Sequence, residues 1–133
     1  MAEKFRLQII TPERIFYEGE VSFIEIKTTE GPMGIYKNHV PTTLILSPGV
    51  LKIYEDEGVK RAALHTGFVE IQQEKIVVMA EIAEWPEEID VKRAEEARIR
   101  AERRIKDDSQ DDSVARAEIA LRKALARLEA SGK

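Results

Sequence analysis

Residues 84–94 read Glu84-Trp85-Pro86-Glu87-Glu88-Ile89-Asp90-Val91-Lys92-Arg93-Ala94, and the chain changes character across them. All 5 prolines and all 8 aromatics of the 133-residue chain lie at or before Pro86, as do six of its 7 glycines. Residues 87–133 keep only Gly132 and carry 12 Lys/Arg against 12 Asp/Glu. Residues 1–86 carry 9 against 13, so the net charge of −4 belongs to the front. Aromatic residues favour strands and proline punctuates them, whereas Ala, Glu, Arg, Lys and Leu are strong helix formers. The boundary therefore predicts an α+β chain. Residues 1–85 should form an N-terminal antiparallel β-sandwich, and residues 86–133 a C-terminal two-helix antiparallel hairpin.

Outward from the boundary on its N-terminal side, the apolar pattern has a period of two. Phe5-Arg6-Leu7-Gln8-Ile9 alternates, as do Ile24 and Ile26 with Glu25 and Lys27. Further β-favouring runs are Val40–Leu46, Val50–Tyr54, Val59–Leu64, Phe68–Ile71 and Ile76–Ile82. Turn signals stand at Gly19, Gly31-Pro32, Ser47-Pro48-Gly49, Asp56-Glu57-Gly58 and Thr66-Gly67.

On the C-terminal side the period is helical. Asp90 is placed to cap a first helix whose small or apolar stripe is Ala94, Ala97, Ala101, Ile105. Asp107-Asp108-Ser109-Gln110-Asp111-Asp112-Ser113 reads as a turn, with Asp112 or Ser113 as the second cap. The second stripe is Val114, Ala117, Leu121, Ala124, Leu128. A stripe rich in alanine buries little area, so the hairpin should be held weakly. It reads equally well as a switch element and as a permanently packed appendage.

Composition excludes several classes. There is no cysteine, hence no disulfide framework, thiolate metal site or cysteine nucleophile. The longest apolar run, Ile76–Ala80, is far short of the ~20 residues of a membrane span. The start lacks an apolar leader, which suggests a soluble, cytosolic chain. The acidic total charge argues against nucleic acid as a partner. His39 and His65 lie 26 residues apart without a second ligand at metal spacing, so structural or interface roles are expected. No phosphate loop and no nucleophile elbow is present.

One constellation carries chemistry. Arg93, Arg100 and Arg104 share one side of the first helix, and Arg116, Lys123 and Arg127 one side of the second. Folded together, the rows would converge on an anion, and arginine forks suit a polyphosphate. Ion pairs with the many neighbouring glutamates explain the same spacing. Both readings are open from the residues alone.

The order of these parts resembles the epsilon subunit of bacterial F-type ATP synthases (delta in mitochondria). Gly34-Ile35-Tyr36-Lys37-Asn38-His39-Val40-Pro41 resembles that family's Gly-Ile-x-x-Gly-His-x-Pro segment. Thr66-Gly67-Phe68-Val69-Glu70 resembles its Gly-Gly-Phe-hydrophobic-Glu segment. Ile89-Asp90-Val91-Lys92-Arg93-Ala94 resembles the Ile/Leu-Asp-x-x-Arg-Ala signature of ATP-binding members.

The resemblance implies a non-catalytic rotor subunit, peripheral to the cytoplasmic face of the membrane. The sandwich would bind gamma and the c-ring, with His39 among the partner-facing residues. The hairpin would extend to the alpha/beta catalytic ring and inhibit hydrolysis, offering Arg116 and Arg122, with Lys123 and Arg127, to an acidic segment of beta. ATP would be a regulatory ligand of the folded hairpin, and magnesium is left open. Glu84, Ile89, Asp90 and Ala94 would take the adenosine side. Arg93, Arg100 and Arg127 would take the phosphates, with Lys123 where the pattern has a further arginine. Asn38 stands for a glycine of the pattern, and Pro32 for an acid found near the c-ring in some relatives. A stand-alone sandwich adaptor with a coiled-coil tail fits the composition too. A small nucleotide hydrolase would use the arginines but lacks a base or metal set.

Overall fold

The computed structural model describes residues 3–107 and 111–132. Ten strands come first: β1 (Phe5–Ile10), β2 (Ile15–Val21), β3 (Phe23–Thr28), β4 (Gly31–Ile35), β5 (Thr42–Leu46), β6 (Gly49–Glu55), β7 (Gly58–Leu64), β8 (Gly67–Ile71), β9 (Lys75–Ala80) and β10 (Ala83–Glu84). A 3₁₀ turn at Pro86–Glu88 leads to α1 (Val91–Asp107) and α2 (Asp111–Ser131).

The strands pair in the order β10-β7-β6-β3-β5-β8-β9-β1-β2, with β4 on β3. The path bends over itself until β2 faces β6, where the Tyr17 hydroxyl donates to the Glu55 carboxylate. Burial and that hydrogen bond together push the Tyr17 hydroxyl well above the ordinary phenol range. Leu7, Ile9, Ile24, Ile35, Leu51, Ile53, Val69 and Val78 fill the space between the layers and are fully buried.

Three details differ from the sequence reading. The sandwich is not wholly antiparallel, because β1 runs parallel to β9. Gly19 is no turn: it lies inside β2, opposite Leu7. Gly31-Pro32 opens β4, where Pro32 faces Lys27 on an outermost strand that has no further partner among the described residues. An edge tolerates a residue without an N–H, which a central strand would not. Two further positions are conformationally tight, and the second, Gly67, read as part of a turn, opens β8 instead. Asn38 adopts φ 70°, the left-handed conformation that asparagine accepts. At Gly67 an added Cβ would lie 2.0 Å from the Met79 carbonyl oxygen, so β8 and β9 approach this closely only over a glycine.

The boundary segment is held from both sides. Trp85 stacks on Phe16 with ring centroids 4.2 Å apart. The Glu88 carboxylate accepts from the Trp85 N–H at 2.9 Å and from Arg14 at 2.8 Å. Asp90 then caps α1: its Oδ1 accepts the Arg93 N–H at 3.1 Å, and its carbonyl the Ala94 N–H at 3.0 Å. The second helix starts at Asp111, ahead of the expected caps Asp112 and Ser113. The side chains of those two residues, and residues 108–110 of the expected turn, lie outside the described residues.

The hairpin closes on alanines. Ala94 and Ala101 of α1 and Ala117 and Ala124 of α2 are all buried. α2 also rests on β6 and β7, where Ala63, Ile89 and Ala130 form a small second core. Arg61 of β7 donates to the Glu129 carbonyl at 3.2 Å. A cation there meets the negative end of the helix dipole.

Candidate functional site

The hinge, α1 and α2 enclose a cavity of about 270 Å³ lined by Glu84, Glu88, Asp90, Arg93, Ala94, Ala97, Arg100 and Arg127. The helical repeat explains α1's share. Residues 90, 93, 94, 97 and 100 fall on one face of the helix and its cap. Ala94 and Ala97 have no bulk beyond Cβ, and this small floor leaves the space open. A wider groove of about 640 Å³ lies at one end of the sandwich. It is lined by exposed strand ends and loops, with Lys4 and Arg6 already paired to Asp56 and Glu18.

Arg93, Arg98 and Arg100 of α1 divide into two kinds. Arg98 is an ion-pair residue: it binds Glu95 and, at 2.7 Å, Glu102. Arg93 and Arg100 have no ion-pair partner among the described residues, although both line the cavity. The three acids of the lining already accept from His65 and Arg127, from Arg14 and the Trp85 N–H, and from the Arg93 N–H, which leaves the Arg93 and Arg100 guanidinium groups to attract an anion. Glutamate pairing thus accounts for Arg98 and leaves Arg93 and Arg100 unexplained.

Arg127 reaches the cavity from α2. Its Nε donates to Glu84 Oε1 at 2.7 Å. The same Glu84 oxygen lies 3.2 Å from His65 Nε2. Burial alone would raise the Glu84 pKa. The hydrogen bonds from His65 and Arg127 outweigh it and hold the carboxyl below the usual range. Glu88 is lowered as well, chiefly by Arg14 and the Trp85 N–H.

These shifts set a direction with pH. A carboxylate whose folded pKa is depressed contributes stability above its unfolded pKa, and loses it as pH falls through the folded one. Denaturation midpoints should therefore drop on acidification from neutral pH to below about 4.5, the ordinary value for glutamate. Glu84→Gln should lower the midpoint at neutral pH and flatten this acid limb. An unchanged limb in the variant would show that Glu84 does not carry the effect.

The other expected site residues fall elsewhere. Ile89 is buried in the small core beneath α2, behind the cavity rather than on its wall. Lys123 is half-buried on α2 but is not among the lining residues. Arg116 and Arg122 are exposed on α2. His39 is half-buried in the β4–β5 connection, its Nδ1–H donating to the Val40 carbonyl at 2.9 Å. The sequence reading did not pick out Glu88, Ala97 or the His65 contact. Ala97 was within reach of the helical repeat counted from Asp90, whereas Glu88 lies in the 3₁₀ turn before the helix and is not. His65 and Glu84 are 19 residues apart on different strand ends, and no local pattern joins them.

A second surface stands out on the sandwich. Ile45, Phe68 and Met79 are exposed neighbours across β5, β8 and β9, and Ile10 of β1 continues the row. The row borders a groove of about 450 Å³ lined by Ile10, Pro12, Phe68 and Met79 with Thr11 and Thr66. Among the described residues no group of three His, Cys, Asp or Glu is placed to hold a metal ion. No helix among them is long and apolar enough to cross a membrane.

Known proteins resemble the whole of this chain. Residues 4–86 match the beta-sandwich domain of the ATP synthase delta/epsilon chain, and residues 87–132 match its long alpha-helix domain. An ATP synthase epsilon chain of Clostridium novyi (strain NT) is 46% identical over 131 residues, covering 97% of this chain and 98% of that one. That of Caldanaerobacter subterraneus subsp. tengcongensis is 41% identical over 134 residues, covering 100% and 97%. Among solved structures, a chain of the Euglena gracilis mitochondrial ATP synthase (OSCP/F1/c-ring) shares the fold with a TM-score of 0.83. It is 24% identical and aligns over 98% of this chain and 82% of its own. Each of the first two relatives is by its name one chain of an ATP synthase. Two successive domains matched from end to end leave one assignment: the chain belongs to the ATP synthase delta/epsilon chain family.

Proposed function

We propose that the chain is a regulatory rotor subunit whose hairpin is held against the sandwich by ATP. The observation that carries this is that Arg93 and Arg100, in a cavity that Arg127 also enters, have no ion-pair partner among the described residues. Arg93, Arg100 and Arg127 would hold the phosphates, with Glu84, Asp90 and Ala94 on the adenosine side and Ile89 as packing behind them. Lys123 serves the field of the site from outside its wall. A magnesium ion accompanying the nucleotide would be held by phosphate oxygens. Bound ATP supplies negative charge between the two helices, and the protein's share is to orient it and close over it.

ATP bound across the hinge, α1 and α2 binds only the docked arrangement. It therefore stabilises that arrangement by mass action, by RT ln(1 + [ATP]/Kd). Without it the alanine seam is a weak hold. The hairpin then extends and offers Arg116, Arg122, Lys123 and Arg127 to acidic residues of the alpha/beta ring, which blocks hydrolysis. The subunit sits at the cytoplasmic face of the membrane, peripheral to it through the complex.

The sandwich is the fixed end of this device. We assign gamma to the apolar row Ile10, Met79, Phe68, Ile45, since a part that turns with a shaft needs a dry and lasting contact. The β4–β5 connection with His39 is left to the c-ring.

Removal of residues 91–133 from the assembled complex tests the regulatory reading. ATP hydrolysis at low ATP should rise severalfold, and the difference should shrink as ATP is raised. Equal hydrolysis by both complexes at low ATP would contradict it.

A further inference from the structure

Three carboxylates and three guanidinium groups line the cavity: Glu84, Glu88 and Asp90 against Arg93, Arg100 and Arg127. A lining of balanced charge gives a polyphosphate little net attraction. The acids must be answered from outside if the arginines are to serve a ligand. Among the described residues, Arg14 is the one arginine or lysine outside the lining that pairs with any of these acids. Its Nη2 donates to Glu88 Oε1 at 2.8 Å.

The turn between β1 and β2 delivers Arg14 to this place. The Thr11 N–H donates to the Arg14 carbonyl at 2.9 Å, and the Thr11 hydroxyl oxygen accepts the Arg14 N–H at 3.3 Å, so the turn closes on itself. The Arg14 guanidinium lies over the Phe16 ring, 5.1 Å from its centroid. Phe16 in turn stacks on Trp85, whose N–H donates to the same Glu88 oxygen at 2.9 Å. Turn, ring and guanidinium together hold Glu88 Oε1 on the sandwich side. Arg14 and the Trp85 N–H also keep the Glu88 carboxyl below the usual range, so at neutral pH it is a charge that something must balance.

We propose that Arg14 is a positioning residue of the nucleotide cavity, which keeps Arg93 and Arg100 open to phosphate by holding Glu88 away from them. The proposal rests on the nucleotide reading above. Arg14 is not part of the cavity wall, so it acts through Glu88 rather than on the ligand. Without Arg14, Glu88 keeps the Trp85 N–H and is free to turn to Arg93 or Arg100, which have no ion-pair partner among the described residues. Phosphate then competes with a carboxylate for the same guanidinium fork. The freed charge also repels the phosphates directly. The side chains of the pair are 46% and 36% exposed, so its own contribution to stability is small and its effect falls on the ligand. The sandwich thereby takes part in a site whose arginines all belong to the hairpin. A plain strut between the β1–β2 turn and the hinge would use the same contact, and the two roles differ in what the loss of the Glu88 charge does.

Calorimetric titration of the full chain with ATP tests this, on the wild type, Arg14→Gln, Arg14→Lys, Glu88→Gln and the double variant. Arg14→Gln should weaken ATP binding by about three- to tenfold. Arg14→Lys keeps a cation within reach of Glu88 and should lose less than about threefold. Glu88→Gln should bind ATP more tightly than the wild type, by about two- to threefold. With Glu88→Gln in place, adding Arg14→Gln should change affinity by less than about twofold, since Arg14 acts through that carboxylate. Thermal midpoints without ATP show whether each variant has folded. A strut instead makes Glu88→Gln as harmful as Arg14→Gln and leaves the double variant no better, and that result would overturn the proposal. So would unchanged affinity in Arg14→Gln. Should that variant fail to fold, Glu88→Gln decides alone: tighter binding supports the proposal, and equal or weaker binding overturns it. No binding of ATP by the wild type would overturn the nucleotide reading and the proposal with it.

Discussion

Arg93→Ala and Arg100→Ala are each expected to weaken ATP binding by about 10- to 100-fold while leaving the sandwich folded. A hydrogen bond to a charged group is worth about 1.5–3 kcal/mol, which is that range of affinity. Arg93 and Arg100 are exposed and take part in no ion pair among the described residues, so their loss removes little from the free protein. Arg98→Ala is the matched control. It deletes an arginine of the same helix, but one already paired with Glu95 and Glu102, and should change affinity by less than about twofold. Arg93→Lys should fall between, since lysine keeps the charge and loses the fork. Calorimetric titration reads all four. Equal losses at positions 93 and 98 would mean that general charge, not the cavity, attracts the nucleotide.

Phe68→Asp is expected to abolish co-purification with gamma, or to weaken that complex by more than about 30-fold. The side chain is 41% exposed in the centre of the row Ile45, Phe68, Met79, Ile10. Central aromatic anchors of an interface commonly carry about 2 kcal/mol or more, and a buried unpaired carboxylate adds to the penalty. The isolated chain should keep its thermal midpoint, because Phe68 points away from the core that Val69 and Ile71 fill. Val40→Asp is the contrasting change. Val40 is 73% exposed, but it lies in the β4–β5 connection away from the row, so gamma should still bind. Intact co-purification of Phe68→Asp would contradict the assignment of this face.

Much of this arrangement could be read from single residues. The break at Pro86, the cap at Asp90 and the alanine stripe Ala94, Ala97, Ala101 are local signals, and each is where the residue types put it. Strands β2 and β4 escaped the sequence reading for physical reasons. In β2, Phe16 and Tyr17 are adjacent and both buried, next to the register shift at Ile9 and Ile10, so the alternation is broken. In β4, two glycines and a proline leave almost no β-favouring residue, and cross-strand pairing with β3 decides the conformation instead. The site shows the same division. Helical spacing gave Arg93, Arg98 and Arg100 each a glutamate within reach, and only the packed structure separates Arg98, which uses its neighbours, from Arg93 and Arg100, which face the cavity. Lys123 had the right spacing on α2, but its side chain is not part of the cavity wall. The His65–Glu84–Arg127 relay joins three distant parts of the chain, so no periodicity announces it.

The central claim is that ATP holds the hairpin in its docked position. Amide hydrogen exchange in residues 91–107 and 111–131 of the full chain, with and without millimolar ATP, tests it most directly. ATP should slow exchange in both helices together and leave β1 to β9 unchanged, and Arg93→Ala should remove the protection. Exchange in α1 and α2 that is identical with and without ATP would contradict the account.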